Sequence, residues 1–260
     1  MSSVGFIGGG RVTRILAAGW RRADALPAQF LVHDPDPHAI EALRAEVPNI
    51  ELVAADVVAA ADYVFLALHP PVLPGALAEI KPLLRRDAIL VSLAPKIPIA
   101  MLEHMAGTRR VARMIPNAPS IVGQGFNPVT FGAGLDERGR TMLTGLFAAW
   151  GRAPEVAEQT LEAYAILTGM GPTYFWFQWQ ALREVATQLG LAAPDIDTAL
   201  RAMVEGALST LLDAGISPAA VMDLIPVKPL AQLESDVTAA YHTLLPALHS
   251  KIRPVEATVG

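Results

Sequence analysis

A short apolar run, Val4–Ile7, leads straight into Gly8-Gly9-Gly10-Arg11-Val12-Thr13, and Val12 to Trp20 then follows with helical spacing. Glycines between a strand and a helix suit one task, the holding of an anion on backbone amides. Gly8 permits a tight turn and Gly10 lets the main chain approach a diphosphate. The helix adds its unsatisfied N–H groups and the positive end of its dipole. Thr13 stands where a G-x-G-x-x-G string has its third glycine. Asp34 closes the next strand-like run, 24 residues after Gly10. A carboxylate there accepts the hydroxyls of an adenosine ribose and repels a 2′-phosphate, which favours NAD(H) over NADP(H). The competing role for Asp34 is a cap on the helix that begins near His38.

Further candidates follow later apolar runs, at the strand ends where open α/β sheets bind ligands. His69-Pro70-Pro71 follows Tyr63–Leu68, Ala94-Pro95-Lys96 follows Ala88–Leu93, and Pro116-Asn117 follows Val111–Met114. Lys96 is the only charge between Ala88 and Met101. An ammonium there holds a substrate carboxylate or donates a proton, unless it is simply a solvated loop lysine. His69 is an acid/base, a backbone contact to the cofactor or simply a loop residue.

These groups need a scaffold that brings strand ends together. Apolar runs at Val4–Ile7, Phe30–His33, Tyr63–Leu68, Ala88–Leu93, Val111–Met114 and Pro128–Phe131 alternate with helical patterns such as His38–Ala45 and Leu77–Leu84. That alternation implies crossover connections and a parallel, doubly wound sheet covered on both faces. Beyond Gly151 strand signals fade. Glu158–Thr168, Thr173–Leu189, Asp195–Ala214, Pro218–Leu224 and Leu230–Leu248 are all helical in pattern, with Pro194 and Pro218 as starts and Gly190 and Gly215 as stops. The expected division is a dinucleotide-binding domain over 1–152, a helical domain over 153–250 and a frayed tail over 251–260.

The charge-free stretch Ala163–Leu182 is long enough to span a bilayer, but Pro172 would interrupt a single helix. Two helical pieces joined by a Gly turn are expected instead. Hydrophobic residues make up 52% and charged residues 17% of the 260, a balance that excludes a disordered chain. A net charge of −5 without a basic run argues against nucleic acid and anionic membranes as partners. With Cys 0, thiolate catalysis, disulfides and cysteine-bound zinc are excluded, and no metal site is expected. No secretory signal pattern opens the chain, so a cytoplasmic location is expected.

Several strings in order resemble the pyrroline-5-carboxylate reductase family, over nearly the whole chain. Val4–Arg11 is similar to that family's opening strand and turn, and Leu66-Ala67-Leu68-His69-Pro70 to its strand ending in Ala-Val-Lys-Pro, with His69 in the lysine position. Arg113-Met114-Ile115-Pro116-Asn117-Ala118-Pro119 resembles Arg-Val-Met-Pro-Asn-Thr-Pro, and Val122-Gly123-Gln124-Gly125 follows in place. After Glu158, Thr168-Gly169-Met170-Gly171-Pro172-Thr173-Tyr174 resembles Ser-Gly-Ser-Gly-Pro-Ala-Tyr.

The resemblance implies a Rossmann-type domain followed by an all-helical domain that interlocks with a second copy, the protein being a homodimer or a multiple of dimers. It implies an NAD(P)-dependent oxidoreductase passing hydride to the C=N or C=O of a small metabolite. Gly8, Gly9, Gly10, Arg11 and Val12 would hold the diphosphate and Asp34 the ribose. Ala67, His69, Pro70 and Ala94 would wall the nicotinamide, and Asn117 would fix its amide or the substrate. Thr168, a hydrogen-bond donor or else a cap on the next helix, and Lys96 are the catalytic candidates. Gly169, Gly171 and Lys228 are the substrate-binding ones. The aromatic cluster Tyr174, Phe175, Trp176, Phe177 and Trp179 would form dimer core.

The departures bear on the substrate. The family's Asp-x-x-Thr is Glu162 to Ala165 here, which removes a polar site group, and Ala202 and Met203 replace a Gln-Thr pair. The Ser-Pro-Gly-Gly-Thr-Thr loop that cradles a substrate carboxylate is missing between Pro218 and Glu234, where Leu224-Ile225-Pro226-Val227-Lys228-Pro229 stands. Three readings follow: a reductase of another imine or carbonyl compound, a pyrroline-5-carboxylate reductase of proline biosynthesis, or a catalytically silent nucleotide-binding protein.

Overall fold

A computed structural model describes residues 2–48 and 50–254. The order of elements begins β1 (Ser3–Ile7), α1 (Arg11–Arg22), β2 (Gln29–His33), α2 (Pro37–Glu46), β3 (Glu51–Leu52), α3 (Ala55–Ala59) and β4 (Tyr63–Leu66). It continues with α4 (Leu73–Ile80), β5 (Ile89–Ser92), α5 (Ile99–Ala106), β6 (Val111–Met114), β7 (Gly125–Phe126), β8 (Val129–Phe131), α6 (Glu137–Phe147) and β9 (Gly151–Arg152). Then come α7 (Leu161–Tyr164), a π-helical turn (Ala165–Gly169), α8 (Pro172–Gln188), α9 (Ala193–Asp213), α10 (Pro218–Met222) and α11 (Ala231–Ile252).

Seven strands form one sheet in the order β3-β2-β1-β4-β5-β6-β8. The pairings from β3 to β6 are parallel, whereas β8 runs antiparallel to β6, with Arg113 opposite Thr130. The all-parallel expectation therefore fails at the last strand. The chain returns from β6 through a 3-10 turn (Ala118–Val122) and β7 instead of an α-helical crossover, which brings β8 back antiparallel. β7 and β9 make a separate two-stranded ladder.

Side chains alternate across the sheet with period two, so each face buries a different set. One face gathers Phe6, Phe30, Phe65, Trp20, Phe147 and Trp150 into an aromatic core. Trp20 Nε1–H donates to the Leu146 carbonyl and Trp150 Nε1–H to the Leu16 carbonyl, both at 2.8 Å, which satisfies the polar ends of two buried rings. The other face packs Ile7, Leu31, Val64, Leu66, Leu90 and Val111 against α3 to α5, joined by Ala94 and Ile97 from the loop after β5. In each strand a continuous apolar run serves both faces, as a doubly covered sheet requires.

The chain divides into two compact units. One holds Met1–Met170 together with the stretch from Leu248 onward; the other is Gly171–Ala247. The first unit extends past residue 152 because Leu161 and Ala165 pack with Ile115 at the end of β6, joined by Ile252. Lys251 and Ile252 are thus helical rather than frayed, while the end of the expected tail, 255–260, lies outside the described residues. The second unit is all helical. Pro172 starts α8 instead of interrupting a longer helix, and among the described residues no helix is long and apolar enough to cross a membrane.

Candidate active site and cofactor cradle

In the sheet, β2 and β3 lie to one side of β1 and β4 onward to the other, so the order in which strands are added reverses between β1 and β4. Gly8 sits at this switch, where an open α/β sheet leaves a crevice. Its N–H donates to the His33 carbonyl of β2 at 2.7 Å, and the Ala67 N–H donates to the Ile7 carbonyl at 2.8 Å. With φ of +107°, Gly8 holds a backbone shape that side chains rarely adopt, and a Cβ there would lie 2.4 Å from the Ala67 carbonyl oxygen. At Gly10 the fold itself leaves room for a side chain. A Cβ at Gly10 would meet nothing within 4 Å, so its missing side chain keeps open the space in front of α1.

Gly10 is also the N-cap of α1, and no side chain caps that end. The first helical bond runs from the Arg14 N–H to the Gly10 carbonyl at 3.1 Å. The first turn contains no acidic residue, and Arg11 there is exposed. Uncapped amides, a positive dipole end and a guanidinium are features that favour an anion. Thr13, in the place of a third glycine, is fully buried, and its hydroxyl donates to the Gly8 carbonyl at 2.6 Å, pinning the first turn of α1 to the glycine turn. Val12 is half-buried against the aromatic core.

Asp34 is half-buried at the end of β2. Its Oδ2 accepts the Gly9 N–H at 2.7 Å and its Oδ1 accepts the Asp36 N–H at 2.8 Å. The cap of α2 is Asp36, whose Oδ1 accepts the His38 N–H at 2.9 Å. The capping role weighed for Asp34 therefore belongs to its neighbour, and Asp34 instead faces the glycine turn. Each of its oxygens retains acceptor capacity for a ribose hydroxyl.

The nicotinamide-side candidates are placed unequally. His69 is exposed, and its carbonyl accepts the N–H groups of Val72 and Leu73 at the start of α4. Ala67 and Pro70 are half-buried after β4. Ala94 is 1% exposed within the aliphatic core, so only its backbone is available to a ligand. Lys96 is exposed, in left-handed conformation with φ of +77°, and its backbone N–H donates to Glu162 Oε1 at 2.9 Å.

Asn117 is already committed. Its Oδ1 accepts the Phe126 N–H at 3.2 Å, its Nδ2 donates to the Thr168 carbonyl at 3.2 Å, and its own N–H donates to Asn127 Oδ1 at 3.0 Å. Asn117 is thus a bracket that ties the β6 loop to the π-helical turn. The Thr168 hydroxyl donates to the Tyr164 carbonyl at 2.9 Å, so its proton is used within its own helix and what it offers outward is an acceptor. Gly169 lies against Ile115, whose Cγ2 a Cβ would meet at 3.4 Å. Gly171, at the N-cap of α8, and the exposed Lys228 belong to the second unit.

The sequence reading missed Arg113, Glu158 and Glu162. Arg113 is fully buried, bonded to Glu158 at 2.9 Å and to Glu162 at 2.5 Å. Glu162 does not leave a gap where a polar site group was lost; it neutralises a buried cation. The available signal was a lone arginine inside the apolar strand Val111–Met114, which demands a carboxylate partner, together with two glutamates four residues apart.

Comparison with known proteins agrees with this geometry. Residues 3–96 match the family model described as NADP oxidoreductase coenzyme F420-dependent. A pyrroline-5-carboxylate reductase of Corynebacterium melassecola is 30% identical over 84% of this chain and 83% of its own. Pyrroline-5-carboxylate reductase 3 of Rattus norvegicus is 30% identical over 95% of this chain and 86% of its own. The crystal structure of the Plasmodium falciparum pyrroline carboxylate reductase with NADP bound shares the fold, with a TM-score of 0.80 at 20% identity over 97% of each chain. With its glycine turn, its sheet order and its relatives in agreement, the chain belongs to the pyrroline-5-carboxylate reductase family of NAD(P)-dependent oxidoreductases.

Proposed function

We propose that this protein reduces the C=N carbon of a small imine, using NAD(H) in preference to NADP(H), as a homodimer in the cytoplasm. The observation that carries the reading is the Gly9 N–H to Asp34 Oδ2 bond of 2.7 Å, which sets a ribose acceptor beside an uncapped helix end. The residues fit a dinucleotide: Gly10 keeps a Cβ-sized space free, and Arg11 adds a positive charge. Gly8, Gly9, Gly10, Arg11 and Val12 would hold the diphosphate. Asp34 would hold the ribose and disfavour a 2′-phosphate by like-charge repulsion. When bound, the nicotinamide supplies the hydride.

Ala67, Pro70 and the Ala94 backbone would wall the nicotinamide side, with the His69 loop beside them. Asn117 would act by holding the Thr168 carbonyl rather than by touching cofactor. Thr168 favours an imine over a carbonyl compound. Because its proton is given to Tyr164, its oxygen accepts, and a protonated imine offers an N–H where a ketone offers none. Lys96 and Lys228 are both exposed, and either ammonium would pair with a substrate charge. The missing Ser-Pro-Gly-Gly-Thr-Thr loop removes several donors for a substrate carboxylate, which supports an imine other than pyrroline-5-carboxylate.

The sheet unit would then carry the cofactor, and the helical unit the dimer contacts. Phe177 is 68%, Leu212 70% and Ile225 69% exposed in that helical unit, and Ile196 is the one buried hydrophobic among its described residues. So much exposed apolar surface on one helical unit calls for a protein partner, and a second copy supplies it.

The test is oxidation of NADH and NADPH by the purified chain with pyrroline-5-carboxylate, cyclic imines lacking a carboxylate, and keto acids. Turnover of the carboxylate-free imines with NADH above the others is expected. Preference for pyrroline-5-carboxylate would instead assign the proline-pathway reaction. Tight NADH binding without turnover on any compound would leave a nucleotide-binding protein without catalysis.

A further inference from the structure

Arg113 lies near the carboxyl end of β6 with none of its side chain exposed. A guanidinium out of water is tolerated only beside carboxylates, and two are present. Nη1 donates to Glu158 Oε1 at 2.9 Å and Nη2 donates to Glu162 Oε1 at 2.5 Å. The same two oxygens each accept a backbone N–H from the segment after β5. Glu162 Oε1 takes Lys96 at 2.9 Å, and Glu158 Oε1 takes Ile99, the first residue of α5, at 2.7 Å.

Charge neutralisation alone requires neither amide bond. What the two bonds add is a grip on the main chain from Lys96 to Ile99. That grip falls on a residue that needs it. Lys96 has φ of +77°, and among the described residues only Asp24 is the other non-glycine with positive φ. A lysine leaves the left-handed region readily unless surrounding bonds hold it there. Glu162 itself is 1% exposed, and its Oε2 is buried with no hydrogen-bond partner among the described residues. Both of its hydrogen bonds, from Arg113 and from the Lys96 N–H, therefore fall on Oε1.

We propose that Arg113, Glu158 and Glu162 are positioning residues that hold the Ala94–Lys96 backbone in the left-handed turn walling the nicotinamide end of the cofactor, a role that rests on the cofactor reading above. The adenosine end is held elsewhere, by Asp34 and the glycine turn. The clamp therefore acts on one half of the dinucleotide only.

That asymmetry makes the test. The full chain is titrated with NADH and with ADP-ribose, which has the diphosphate and the adenosine but lacks the nicotinamide. Glu162→Leu should weaken NADH by about tenfold, the order that one strained loop residue is worth, and leave ADP-ribose within about twofold. Amide hydrogen exchange at Lys96 and Ile99 should quicken in the same variant. Glu162→Gln retains an acceptor oxygen, and its NADH affinity should stay within about threefold of the parent. Lys96→Gly in the Glu162→Leu background should restore NADH binding, because glycine takes the left-handed shape unaided. Should Glu162→Leu fail to fold, Arg113→Met with Glu162→Leu removes cation and anion together, and the same split between ligands is expected.

Equal loss of both ligands, or Glu162→Gln as impaired as Glu162→Leu, assigns the cluster to charge balance alone and overturns the proposal. So does NADH affinity that is unchanged in Glu162→Leu. If the unmodified protein binds ADP-ribose no better than it binds adenine alone, the cofactor reading itself falls, which is a distinguishable result.

Discussion

Asp34 Oδ2 accepts the Gly9 backbone N–H at 2.7 Å, across 25 residues of sequence. The bond ties the acidic end of β2 to the glycine turn at the end of β1 and fixes where the carboxylate stands relative to α1. The turn and the acid are thereby linked directly, by a bond between backbone and side chain.

The first consequence concerns cofactor choice. Asp34→Ser should weaken NAD(H) by about tenfold, since a charged hydrogen-bond acceptor for the ribose is lost. NADP(H) should lose less or gain, because the repulsion toward its 2′-phosphate disappears. Fluorescence titration of both cofactors against both proteins measures the ratio, and a ratio that does not move removes Asp34 from the ribose site.

Gly8 and Gly10 should separate stability from binding. Gly10→Val adds side-chain atoms where a Cβ meets nothing within 4 Å, so the fold should melt close to the parent temperature while dinucleotide binding is abolished. Gly8→Ala places a Cβ 2.4 Å from the Ala67 carbonyl at φ of +107°, and should cost about 2 kcal/mol or more of stability. Thermal denaturation and titration of each variant read the two effects. Retained binding in Gly10→Val places the diphosphate elsewhere.

Thr168 yields a contrast between two replacements. Thr168→Ser keeps the hydroxyl and should retain turnover within about threefold, whereas Thr168→Val should lose about a hundredfold in kcat with NADH affinity unchanged. Steady-state kinetics on an accepted imine, beside NADH titration, distinguishes them. Equal kcat in both variants would show that the oxygen does not meet the substrate.

The helical unit makes the assembly testable. Phe177 is 68% exposed on α8, and Phe177→Asp adds a charge that a dry interface rejects. Sedimentation should show a dimer for the parent chain and a shift toward monomer for the variant. A monomeric parent would end the dimer reading.

How much was legible beforehand depended on the range of each interaction. The alternating strands and helices, the glycine turn and the acid after β2 could be read in order, because each rests on the chain's own local preferences. A strand shows its period, a tight turn requires glycine, and a helix beginning at glycine leaves its amides uncapped. The antiparallel β8 could not be read, since Val129–Phe131 is too short to declare its direction. The short elements β3, β7 and β9, of two residues each, also escaped for want of any period.

The glycine turn at Gly8–Gly10 and the position of Asp34 at the end of β2 thus follow from what a residue does to its own stretch of chain. The partners of the polar groups around the later strand ends follow instead from packing. Lys96 meets Glu162 across 66 residues, Arg113 meets Glu162 across 49, and Asn117 meets the Thr168 carbonyl across 51. Partners so far apart carry no shared local pattern. A buried hydrogen bond forms with whichever group the packed core brings within about 3 Å, and that is settled by the whole fold.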